Sequence, residues 1–283
     1  NYDVWVRWGN DNCPIQVDGN VVIENDCLLP LECSESVDVI TIGDAENIET
    51  VNVSDLGLTS PIIDQEFHIN GTLVLDTDVD FEDCTFFFTD GSNLEILQTN
   101  NRFENSTLSA CMDTWEGVDL NGSQFRFIGG EISDAFKGIE ALDDGLNSFV
   151  IVEDTDLLRN YESVSLTGSH PLFFLDNLVS GPNNGPTDWT TGPYYLPKGI
   201  NLLNNNGAIF IGFNQEEVHP NTFENLFYGV FGINSSVRVA NSTFRNIGYD
   251  GTMVDQNGNI MVPEGITLSN GIFIPKTAIR SMN

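Results

Sequence analysis

Two near-copies stand close to the end of this chain. Asn221-Thr222-Phe223-Glu224-Asn225-Leu226 and Ser242-Thr243-Phe244-Arg245-Asn246-Ile247 lie 21 residues apart. Earlier variants are Cys84-Thr85-Phe86, Ser106-Thr107-Leu108, Glu131-Ile132 and Thr155-Asp156-Leu157, with apolar residues at 86, 108, 132 and 157. A second series runs in phase with the first. Gly117-Val118, Gly138-Ile139, Gly199-Ile200, Gly229-Val230 and Gly265-Ile266 each set a glycine before a β-branched residue, and Ser163-Val164 replaces the glycine once. An aromatic or a lysine often precedes, as in Phe136-Lys137-Gly138-Ile139 and Pro197-Lys198-Gly199-Ile200. A period of this length marks a chain built of stacked supersecondary units. Longer gaps between copies imply inserted loops.

The leucine ladder of leucine-rich repeats and the amphipathic helices of helical repeats are both missing. What remains is a coil of short strands, such as Phe125–Ile128, Phe149–Val152, Ala208–Ile211 and Ser236–Val239. One turn of such a coil cannot bury its own apolar face. Stacking turns about 4.8 Å apart pairs each backbone with the next and builds one continuous core. The predicted fold is all-β, a right-handed parallel β-helix over residues 61–283 with room for roughly eight to nine turns. Asn160, Asn225 and Asn246 follow the apolar column at a bend, where asparagine tolerates a left-handed backbone. Insertion loops are expected at 180–198 and 250–264. Residues 1–60 lack the repeat and are read as an N-terminal β cap over the open end of the stack or a small β domain leading into it, with a piece of a preceding domain as the competing reading.

Charge narrows the partners. The chain carries 42 acidic residues against 10 basic ones, a formal charge of −32. Such a surface repels nucleic acid and anionic lipid, and suits a medium rich in salt or calcium. No run of apolar residues is long enough for a transmembrane helix. Of the five cysteines, Cys13, Cys27 and Cys33 cluster early, where two would close a loop in an oxidising compartment; Cys84 and Cys111 are read as small buried hydrophobes. The opening Asn1-Tyr2-Asp3 carries no signal peptide and the pattern stops mid-repeat, so a longer precursor is expected.

The run Ile69-Asn70-Gly71-Thr72-Leu73-Val74-Leu75, then Cys84-Thr85-Phe86, Leu94-Glu95-Ile96, Ser106-Thr107-Leu108 and Trp115-Glu116-Gly117-Val118, resembles the secreted parallel β-helix repeat proteins of Bacteroidota. The likeness covers roughly residues 61–275 and rests on the order of the motifs, each of which is weak alone. It implies an exported or cell-surface protein, often one routed by type IX secretion. That family has no single activity, so the resemblance assigns no catalytic residue.

Candidate chemistry is sparse. Asp76, Asp78 and Asp80 alternate along an extended segment and share one side, a pattern that suggests calcium. The glycine and glutamate that would complete an EF-hand loop are missing, and a solvated acidic turn is the competing reading. Asp143-Asp144 and Asp154/Asp156 are weaker versions. Trp189, Tyr194 and Tyr195, in the first insertion loop, offer a sugar-stacking platform or local packing over the coil. Arg102, Arg126, Arg159, Arg238 and Arg245 have no matching partner at a recognisable spacing and are expected to pair with surface carboxylates. His68, His170 and His219 stand apart from any nucleophile. The acceptor pattern Asn-x-Ser/Thr at Asn52, Asn70, Asn105, Asn121, Asn234 and Asn241 is attributed to composition rather than to glycosylation. The leading functional expectation is a structural or adhesive surface protein that binds polysaccharide or other surface and secretion-system proteins. The alternative is a polysaccharide lyase or glycosidase on the same scaffold. It requires a groove along one sheet where a lysine or arginine meets two carboxylates.

Overall fold

The structure is a computed structural model of the chain. It describes residues 39–43, 47–111, 114–181, 197–214 and 217–247, together with the strands Val4–Val6, Ile15–Val17, Ile266–Thr267 and Ile272–Ile274. The chain winds into a parallel β-helix of about eight turns. Each turn lays one strand on each of three faces. The first face stacks Glu49–Asn52, Gly71–Leu75, Asn93–Leu97, Trp115–Asn121, Ala135–Ala141, Glu162–Thr167, Lys198–Leu203 and Tyr228–Ile233. The second and third faces share one bent sheet, because the long strands Asn100–Ala110 and Gln124–Ser133 run around the corner between them. Among the described residues, no helix is long and apolar enough to cross a membrane.

The two sequence series become two interior columns. On the third face Phe67, Phe86, Leu108, Ile132, Leu157, Val179, Phe223 and Phe244 follow one another in register. On the first face Val118, Ile139, Val164, Ile200 and Val230 do the same. All but Phe244 are buried. Like residues gain from this alignment, since offset or parallel aromatic pairs add about 0.5–1.5 kcal/mol beyond their burial. Phe67 and Phe86 stack at 4.5 Å with ring planes 2° apart, and Phe88 lies on Trp115 at 4.1 Å. The last member of the second series departs from the expectation. Ile272, not Ile266, stacks on Val230, and Ile266 pairs antiparallel with Ile274.

Corners follow a two-residue rule. A residue with left-handed backbone turns the chain, and the next side chain points inward to take a backbone N–H of the adjacent turn. At the corner between the second and third faces Asn105 and Asp176 turn the chain. There Ser106 Oγ accepts from Cys84 N and Asn177 Oδ1 from Thr155 N. At another corner the same cap forms without a left-handed residue directly before it: Ser148 Oγ accepts from Ser123 N, and His170 Nδ1 from Ser148 N. Asn225 is left-handed as expected, at φ 56°. Asn160 is not: Arg159 makes that bend, at φ 57°. Asn160 instead accepts from Ala135 N and donates to Ile132 O. Buried backbone groups at the bends are thereby satisfied. The side chain of Asn246 lies outside the described residues.

Two strands from the segment read as a cap, Val39–Ile42 and Glu49–Asn52, already stack in parallel on the next turn. Val4–Val6 and Ile15–Val17 form a separate antiparallel pair. Ser180 and Lys198 belong to coil strands; 182–196 and 248–265 lie outside the described residues, as do Cys13, Cys27 and Cys33. An excursion the repeat did not disclose, the hairpin Phe213–Asn214 with Glu217–Val218, leaves after Gly212 and returns at Asn221. Asn221 resumes the corner ladder, its Oδ1 accepting from Asn177 N at 2.8 Å. Cys84 is a buried free thiol in that ladder, as expected of a small hydrophobe, whereas Cys111 is disulfide-bonded and only partly buried.

Candidate functional site on the first face

Strand register also fixes the outward columns. In one of them Thr72, Asn93, Gly117, Lys137, Glu162, Lys198 and Tyr228 succeed each other; in the next, Val74, Glu95, Asp119, Glu140, Ser165, Asn201 and Phe231. Gly117 interrupts the first column for a steric reason. Its φ is 120°, and a Cβ there would sit 1.6 Å from the carbonyl oxygen of Lys137. No L side chain fits that approach, so the lysine's neighbour on this side is bare backbone.

Charged groups from five successive turns therefore lie side by side. Lys137 pairs with Glu140, while its positive charge also acts on Asp119. Glu162, opposite Lys137 in register, pairs with Lys198 and accepts from Asn201 Nδ2 at 2.8 Å. Asn93 Nδ2 donates to Asp119 at 2.9 Å, and Asn121 Nδ2 to Glu95 at 2.8 Å. Glu95, Asp119, Asn121, Glu140, Leu120 and Leu142 line an open cleft of 280 Å³.

The carboxylates do not behave alike. Burial raises Asp119 from its ordinary value, against the opposing pull of Asn93 and Lys137. Burial also pushes Glu140 up, and repulsion from Asp119 and Glu162 adds to it, so the bonded lysine does not restore the usual value. At Glu162 burial pushes the same way, but the Lys198 ammonium, Asn201 and Ser165 outweigh it and hold the group low. One face thus carries two carboxyl groups raised from their ordinary values and one lowered, an arrangement typical of functional clefts.

Other sequence candidates fall elsewhere. Asp76 accepts from both the backbone and the hydroxyl of Ser54, and Asp78 from Asn100 N. With Asp80 they do not form a group of three ligand atoms within 4.8 Å of one another. Trp189, Tyr194 and Tyr195 lie outside the described residues. Arg159 grips Asp134 through two bonds of 2.7 Å, Arg102 pairs with Glu104, and Arg245 with Glu224. Arg238 covers the ring of Phe210. His170 is a corner cap, and His68 bonds Glu66. Asp144 caps the N–H of Leu146. The asparagines Asn105, Asn234 and Asn241 all occupy left-handed bends. Lys137 and Lys198 escaped notice as site residues, although both precede the repeating glycine at the same phase.

No protein-family model, curated protein or solved structure matches this chain.

Proposed function

We propose that this protein is an extracellular parallel β-helix that binds glycan chains along its first face, in the cleft lined by Glu95, Asp119, Asn121 and Glu140. The observation that carries this reading is the convergence of carboxylates, a lysine and amides from successive turns on one outward face. Sugar hydroxyls both donate and accept, and such a face offers them both kinds of partner. The acidic balance favours neutral polysaccharides over polyuronates, whose charge the face would repel. Export is supported by the disulfide at Cys111, since disulfides persist in oxidising compartments. Display at a bacterial surface through type IX secretion follows from the family resemblance alone. A stiff stack of turns suits an adhesive role there.

A second reading is favoured by the raised carboxyls. Asp119 and Glu140 are adjacent in one column and burial raises both from their ordinary values, while Lys198 helps hold nearby Glu162 low. A carboxylic acid beside a carboxylate is the minimum set for glycoside hydrolysis. Elimination from a uronate fits less well, because cations must neutralise the substrate and acids outnumber them here.

Affinity electrophoresis through gels containing neutral or uronate polysaccharides tests the proposal. Retardation by a neutral glycan, reduced in Glu95→Ala and Asn121→Ala, is expected. Equal migration of wild type and both variants in every gel would sink it. Reducing-sugar release then separates the readings: release abolished in Asp119→Asn and Glu140→Gln marks a hydrolase, and binding without release marks an adhesin.

A further inference from the structure

A second cluster lies at the corner between the second and third faces, away from the glycan groove and independent of that reading. Glu153 ends the strand Phe149–Glu153, Asp176 is the left-handed corner residue one turn later, and His219 follows the hairpin excursion as the chain returns to the stack. One ligand atom from each lies within 4.8 Å of the others. His219 Nδ1 is 2.6 Å from Asp176 Oδ2. All three side chains are half-buried. Among the described residues, no lysine or arginine forms an ion pair with Glu153 or Asp176.

We propose that Glu153, Asp176 and His219 bind a divalent transition-metal ion, Zn²⁺ or Mn²⁺, as three protein ligands with water completing the shell. One imidazole with two carboxylates is a mixed nitrogen and oxygen set, which suits these ions. Calcium fits poorly, since it takes about 6–8 oxygen ligands and only carboxylates would serve it here. The ion neutralises two carboxylates that would otherwise be held together at close range, and an acidic chain concentrates divalent cations near its surface. The hairpin gains a function in the same stroke: it carries to the corner the one ligand that the regular coil does not supply. His219 enters the shell as neutral imidazole, so binding weakens as the solution becomes acidic.

The test titrates the whole chain, stripped with EDTA, with Co²⁺ as a spectroscopic stand-in and then with Zn²⁺ in excess calcium. One tight equivalent is expected, giving visible d–d bands and then displaced by Zn²⁺. Losing a residue that only orients a metal ligand costs about 10–100-fold in affinity, so His219→Ala, which removes a ligand, should weaken binding at least about a hundredfold. Glu153→Gln should weaken it too, and serves alone should His219→Ala fail to fold by circular dichroism. Binding in these variants equal to wild type, or only weak binding that calcium abolishes, overturns the proposal.

Discussion

The interior of the third face and the exterior of the first are made by the same register, yet they place opposite demands on the residues they align. Inside, each side chain meets its counterpart one turn away, and repetition is favourable: Phe223 stacks on Phe244 at 4.9 Å. Outside, the same spacing sets carboxylate beside carboxylate. Asp119 follows Glu95 and precedes Glu140 in one column; burial raises both Asp119 and Glu140, and at Glu140 repulsion from Asp119 and Glu162 adds to it. Lys137, in the neighbouring column, offsets part of that cost. Repetition therefore stabilises where the repeated group is apolar, and stores tension where it is charged. A groove of the second kind persists because the first kind holds the turns in place.

This contrast is open to direct attack. The largest effect is expected inside. Phe86→Ala removes a fully buried ring stacked on Phe67 and edged by Phe81, and should cost about 3–5 kcal/mol in guanidinium unfolding. A loss near that of a surface substitution would show that the column is not the core. Outside, Glu162→Ala strands Lys198 against a buried surface and should cost about 3 kcal/mol, since breaking a buried pair leaves an uncompensated charge. Comparable stability of the variant and wild type would mean that Lys198 escapes to solvent.

The smallest effect has the reverse sign. Asp119 binds its proton at higher pH in the folded chain than in the unfolded one, where the ordinary value is 3.8. From that value up to the raised one, the native state holds more protons, so stability falls as pH rises. Asp119→Asn should then melt higher than wild type at neutral pH, with the difference closing as the solution is acidified. Glu162 runs the other way: its stabilisation is full above the ordinary 4.5 and fades as pH drops through its lowered folded value. A melting curve of Asp119→Asn superimposed on wild type at neutral pH would remove the tension argued for this face.

The columns were legible in the sequence because hydrophobic residues at a turn's spacing have few alternative explanations. Phe86, Leu108, Ile132 and Leu157 define one series, and Val118, Ile139, Val164, Ile200 and Val230 the other. Ile266 failed because a glycine before a β-branched residue is also a common turn, and only the strand partner decides which it is. The groove was hidden for the converse reason. With 42 acids, carboxylate pairs arise everywhere, and the turns between Asp119, Glu140 and Glu162 differ in length. The usable signal lay in the rarest charge. Two of only three lysines, Lys137 and Lys198, sit one residue before the repeating glycine. His219 gave no periodic signal at all, since the hairpin before it breaks the phase.

The near-identical strands Asn221–Leu226 and Ser242–Ile247 sit directly on one another, separated by one circuit of the chain. A segment of that length, copied and spliced back in phase, restores every interlocking contact at its borders, whereas a splice of half a circuit would turn outward what belongs inside. Such a molecule can lengthen by whole units without redesign. Its reach is then a heritable dimension, adjusted by duplication rather than by new architecture.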